Sequence, residues 1–169
     1  MKIILIGYMG SGKTTIGKKL ANNLNHKFYD LDKKIIEYTK KSIYELFEIY
    51  GETQFRKLEY FILKKFLKKK KSYILSVGGG TPCYNNNIFL MKKYSKIFYL
   101  NAEINTLFTR LLKQKKNRPL ISKLDKNYLY NFICDTLSKR LFFYKKADFT
   151  INIKKKSLLE IVKEIINII

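Results

Sequence analysis

The chain has 169 residues, 46% hydrophobic and 15% aromatic, and a formal charge of +22 from 35 Lys and Arg against 13 Asp and Glu. That length holds one well-filled domain rather than two, 1–169, and so much apolar material excludes a disordered chain. No stretch reaches the roughly 18 apolar residues of a membrane-spanning helix and no signal-cleavage pattern follows the apolar start, so a cytoplasmic protein without a membrane partner is expected.

The first strand is expected at Ile3 to Ile6, running straight into GYMGSGKT, residues 7 to 14. The spacing G-x-x-x-x-G-K-[ST] between a strand and a helix is a phosphate-binding P-loop. Backbone N–H groups around Gly10, Ser11 and Gly12 would wrap a β-phosphate, and Lys13 would reach the β- and γ-oxygens. Thr14 would offer its hydroxyl to Mg²⁺, and Thr15 would contact the α-phosphate. A GTPase is a poor fit, because none of Asp30, Asp32, Asp125, Asp135 and Asp148 has an N-K-x-D or D-x-x-G context. A small ATP-dependent metabolite or nucleotide kinase fits better.

His26, the only histidine, falls in a turn before the second strand, Lys27 to Tyr29, and receives no catalytic role. That strand ends in Tyr29-Asp30-Leu31-Asp32. On an extended chain the two carboxylates would point the same way, towards the sheet edge that holds the P-loop. One can hold Mg²⁺ through water while the other takes a proton from an attacking hydroxyl. Asp32 can also cap a helix beginning at Lys33. Ser42-Ile43-Tyr44-Glu45 is a capping-box signature that opens a further helix. Along it, GETQFRKLE (51–59) puts Arg56 three residues before Glu59, where a carboxylate can orient the guanidinium.

Lys64 to Lys71 closes that helix, where cations suit the helix dipole. Lysine supplies all but four of the basic residues, and Ile, Asn, Tyr and Phe are also abundant, as AT-rich coding produces. A solvated lysine surface is expected, with no nucleic-acid partner, and the charge opposes self-association, so a monomer is expected. Each of the four arginines, Arg56, Arg110, Arg118 and Arg140, marks a place where a planar fork is needed.

The next strand, Tyr73 to Val77, ends in Gly78-Gly79-Gly80, which bares backbone N–H groups at the same sheet edge. Cys83 and Cys134 lack metal-ligand spacing and read as reduced thiols. Strands at Ile97 to Leu100 and Phe149 to Ile153 complete a β-α alternation, so the fold expected is α/β, a parallel sheet with helices on both faces. Amphipathic helices are expected near Ile104 to Leu112, near Tyr128 to Tyr144, and after the capping box Ser157 to Glu160. Between the first two lies a polar, basic excursion broken by Pro119, a candidate lid at about 112–125 that carries Arg118.

Together these stretches resemble the shikimate kinases: GYMGSGKTTIGKKLA, FYDLD, GETQFRKLE, SVGGG, RPL in the lid, then Arg140 ahead of Tyr144 and Ala147-Asp148. The resemblance spans nearly the whole chain. It implies a three-layer αβα P-loop kinase fold with a mostly five-stranded sheet, a lid and a substrate-binding helical region at about 32–60. It further implies transfer of the ATP γ-phosphate to the 3-hydroxyl of shikimate, with ATP and Mg²⁺ as cofactors and shikimate as the small-molecule partner. By that likeness Asp32 binds ring hydroxyls and acts as base, and Arg56 and Arg140 grip the carboxylate. Gly78, Gly79 and Gly80 join them in binding the substrate, with a backbone contact from Gly79. Arg118 neutralises the transferring phosphoryl group, Asp30 supports Mg²⁺ with Thr14, and Arg110 flanks the adenine. A gluconate or nucleoside-monophosphate kinase is the nearest alternative, and a basic nucleic-acid-binding P-loop ATPase a more distant one. Two departures bear on the site: Phe142 stands where relatives carry a proline, with one residue fewer before Ala-Asp, and Thr81-Pro82 follows the glycines.

Overall fold

A computed structural model describes residues 1–114, 119–122 and 124–169. Strands β1 (Lys2–Ile6), β2 (Lys27–Asp30), β3 (Tyr73–Ser76), β4 (Lys96–Asn101) and β5 (Phe149–Asn152) form one parallel sheet in the order β2-β3-β1-β4-β5. β1 lies at the centre because both of its faces are covered. Ile3, Ile4, Leu5 and Ile6 are all fully buried, and each such side chain contributes about 1.5–3 kcal/mol through burial.

Helix α1 (Lys13–Asn23) lies on one face, where Gly17 passes so close to Phe28 and Leu5 that a Cβ there would collide with the Phe28 ring. α8 (Leu158–Ile168) packs beside α1. The opposite face, one residue out of phase along β2, carries Tyr29. Its ring meets Phe66 edge-on at 4.7 Å and Tyr73 at 6.0 Å. Phe66 belongs to α3 (Ile43–Leu67), so the sheet is covered on both sides, a three-layer αβα arrangement.

Both capping boxes form. Ser42 accepts from the Glu45 N–H at 3.2 Å while Glu45 accepts from the Ser42 N–H at 2.7 Å, and Ser157 and Glu160 repeat the exchange at 3.3 and 2.6 Å. α3 contains one break, at Gly51, whose φ of 71° and ψ of 170° are non-helical. The stretch after it therefore starts as a fresh helix, with Glu52 in its first turn and Arg56 one turn on. α2 (Leu31–Thr39), α4 (Asn87–Tyr94), α5 (Ile104–Gln114), a short α6 (Pro119–Ser122) and α7 (Lys126–Tyr144) complete the order. α7 runs unbroken through Arg140 and Phe142 to Tyr144, since the chain has no proline there to stop it. No helix among the described residues is long and apolar enough to cross a membrane.

Candidate active site

The loop between β1 and α1 leaves the helix N-terminus unoccupied by its own side chains. Gly12, with φ 91°, serves as N-cap without a side-chain cap, so the first amides of α1 remain available to an anion. Lys13 folds back across this loop, donating to the Gly7 and Tyr8 carbonyls at 2.8 and 2.9 Å. A cavity of about 480 Å³ opens over it, walled by Gly10, Ser11, Gly12, Lys13, Thr14, Thr15 and Arg110 on one side and by Asp30, Asp32, Gly78 and Gly79 on the other. The Ser11 and Ser76 hydroxyls on its wall are buried without a hydrogen-bond partner among the described residues. A polar cavity of this size, over a bare helix N-terminus, fits a nucleotide polyphosphate.

The two carboxylates at the end of β2 reach the cavity by a different route from the extended pair expected. The helix begins at Leu31, not Lys33, and Asp30, not Asp32, is its cap. One Asp30 oxygen accepts from the Asp32 and Lys33 amides at 3.1 and 3.4 Å, and the other accepts from the Thr14 hydroxyl at 3.1 Å. A hydroxyl and a carboxylate oxygen this close, both hard donors on the cavity wall, fit Mg²⁺. That ion takes one or two protein oxygens and fills its remaining positions with water and phosphate.

Asp32, in the first turn of α2, is spared the cap. No side-chain hydrogen bond holds it among the described residues. Burial, then the neighbouring charges of Asp30 and Glu59, push its pKa up to about 6, against the pull of Lys13 and Arg56. The arrangement yields a carboxylate that is ionised at neutral pH and unusually ready to accept a proton.

The three glycines after β3 give room to polar side chains, Gly78 to Thr81 Oγ1 at 3.1 Å as well as to Asp32. A Cβ on Gly78 would press on Asp32 Oδ1 at 3.1 Å, one on Gly79 on Arg140 Nη1 at 3.0 Å, and one on Gly80 would overlap the Arg56 guanidinium. Tyr144, on the same helix as Arg140, donates its hydroxyl to the Gly79 carbonyl at 2.6 Å. Arg56 donates from Nη1 to Glu59 at 2.9 Å, the orienting pair expected from their spacing. The cavity wall includes Asp32, Gly78 and Gly79 but stops short of Gly80, Arg56 and Arg140. Arg110 donates to the Gly10 carbonyl at 3.1 Å, at the P-loop end. Arg118 lies outside the described residues, as does part of the expected lid.

Four contributors were not anticipated. Glu52 accepts from Arg56 Nε and Nη2 at 3.3 and 3.2 Å, a partnership readable from the i, i+4 spacing. Thr81 donates to the other oxygen of Glu59 at 2.7 Å across 22 residues of sequence, which no local pattern signals. Ile153 and Lys156, after β5, wall the nucleotide side of the cavity; loops beyond strand C-termini converge there by rule. Cys83 is a free thiol whose pKa burial pushes up to about 11, and Cys134 is also free.

Comparison with known proteins identifies the family. The shikimate kinase family profile matches residues 9–169. The chain is 44% identical to a shikimate kinase of Flavobacterium psychrophilum, over 97% of this chain and 96% of that one. It is 41% identical to that of Azobacteroides pseudotrichonymphae, over 97% and 96%. Among solved structures, a shikimate kinase from Bacteroides thetaiotaomicron superposes with a TM-score of 0.94 at 35% identity, covering 99% of this chain and 97% of that chain. One from Acinetobacter baumannii, in complex with shikimate, gives 0.89 at 30% identity, covering 99% and 91%.

Proposed function

The chain belongs to the shikimate kinase family, and from that premise we propose that it transfers the γ-phosphate of ATP to the 3-hydroxyl of shikimate, giving shikimate 3-phosphate and ADP on the way to chorismate and the aromatic amino acids. The observation that carries the reading is the meeting, at one sheet edge, of a phosphate-binding loop with a readily protonated carboxylate and two guanidinium groups, each set against its own glycine.

In this reading the amides of Gly10, Ser11 and Gly12 and the Lys13 ammonium hold the β- and γ-phosphates, Thr15 meets the α-phosphate, and Arg110 flanks the adenine. Lys13 exchanges its two loop carbonyls for phosphate oxygens. Thr14 and Asp30 hold Mg²⁺, which when bound neutralises phosphate charge. Arg56 and Arg140 hold the acceptor's carboxylate and Gly79 gives a backbone contact. These groups place the 3-hydroxyl at Asp32, which takes its proton as the oxygen bonds to phosphorus and the bond to the ADP oxygen breaks. Arg118 balances charge on the transferring group.

We take all 169 residues as one domain, supported by a single apolar core that runs from Ile3 to Ile165. A monomer is favoured by the +22 charge, and a reducing cytoplasm suits the two free thiols. Incubation with ATP, Mg²⁺ and shikimate followed by ³¹P NMR is expected to show one phosphomonoester coupled to the C3 proton. A phosphate on another hydroxyl, or free phosphate alone, would overturn the reading.

A further inference from the structure

Arg56 is enclosed on nearly every side. Its guanidinium carbon stands 4.3 Å from the Tyr84 ring centre and 5.2 and 5.7 Å from those of Phe55 and Phe47. Gly80 closes against it, and only 8% of the residue is exposed. Two carboxylates share its N–H groups, and they differ in kind. Glu59 is 1% exposed, pairs with Nη1 and is tied to the Thr81 hydroxyl. Glu52, whose side chain is 51% exposed, holds the Nε and Nη2 edge with one oxygen. Arg140, by contrast, has no ion pair among the described residues. Of the two guanidinium groups assigned to the acceptor's carboxylate, Arg140 meets Tyr144 and Tyr8 but no carboxylate among the described residues, whereas Arg56 already holds two.

We propose that Glu52 is a built-in competitor for the acceptor's carboxylate: it occupies the Nε–Nη2 edge of Arg56 until the substrate binds and then yields that edge to it, and so sets acceptor affinity. The inference rests on the role given above to Arg56. Of its two partners, Glu52 is the one that can leave. Released, it returns to water in the first turn after the Gly51 break, where helix amides favour a negative charge. Glu59 released would remain a buried, unpaired carboxylate, which is costly. The exchange swaps one carboxylate for another on the same fork, so the number of carboxylates bonded to Arg56 is conserved, and the acid group of the substrate is what drives it.

Calorimetric titration of shikimate, without nucleotide, into the full chain and its Glu52→Gln and Glu52→Ala variants tests this, with uncharged methyl shikimate titrated in parallel and thermal melts to verify folding. Both variants are expected to bind shikimate about three- to tenfold more tightly, the range from a half-exposed ion pair to a fully engaged one, with ester affinity unchanged. Unchanged or weaker shikimate binding would overturn the competition and leave Glu52 as a support for Arg56. Equal tightening of acid and ester would overturn it too, because an exchange on Arg56 requires the acid. Failure of the wild-type chain to bind shikimate would remove the functional reading along with the competition.

Discussion

Asp32→Asn is expected to cripple phosphoryl transfer while stabilising the fold. The carboxylate is raised from 3.8 to about 6 by burial and by Asp30 and Glu59. Between those pH values the folded chain keeps a proton that the unfolded chain has released. Stability therefore falls as pH rises through this window, and the deficit persists above it. The shift corresponds to at most about 3 kcal/mol, and the amide carries none of that charge. At about 2–4 °C per kcal/mol for a chain of this size, the variant should melt on the order of 5 °C above wild type at pH 7.5. The gap should shrink towards zero as the pH approaches about 4, with melting followed by circular dichroism across a pH series. ADP release by the same preparation should fall by roughly 10²–10⁴ for loss of the base. An equal or lower melting temperature at pH 7.5, or a gain that persists in acid, would refute the assignment of a charge held at a cost for catalysis.

Other substitutions separate the parts of the site. Gly80→Ala puts a methyl group where the Arg56 guanidinium lies; steady-state kinetics should show KM for shikimate raised about tenfold or more, with KM for ATP near wild type. Thr81→Val removes the hydroxyl that donates to buried Glu59 and should cost about 1–3 kcal/mol in urea unfolding. Arg118→Lys should reduce kcat far more than it weakens ATP binding, because the fork is needed as charge develops; equal losses would argue against a transition-state role.

Most of the architecture was legible because its signals are local. The alternation of short apolar runs with helical spacing located the strands to within one or two residues, and both Ser-x-x-Glu boxes formed with reciprocal hydrogen bonds. The P-loop was equally plain. Asp30-Leu31-Asp32 misled because two carboxylates two apart read as an extended pair, whereas the first caps a helix that begins at Leu31 and holds the second in its first turn. Competition between strand continuation and an Asp cap is settled by the orphan amides that the cap satisfies. The Thr81–Glu59 hydrogen bond and the approach of Asp32, Arg140 and Arg56 to Gly78, Gly79 and Gly80 depend on contacts between distant segments, which no spacing encodes. Without a proline at Phe142 the helix continues to Tyr144, bringing Arg140 beside Gly79 while Tyr144 donates to the carbonyl of the same glycine.

The measurement that bears most directly on the assigned activity is ADP release from ATP and Mg²⁺ with shikimate, quinate, gluconate or AMP offered separately, each against a control without acceptor. Asp32 and the paired guanidinium groups predict strong stimulation by shikimate and little by gluconate or AMP. Equal stimulation by gluconate or AMP, or none by shikimate, would contradict the acceptor site and leave only the phosphate loop explained.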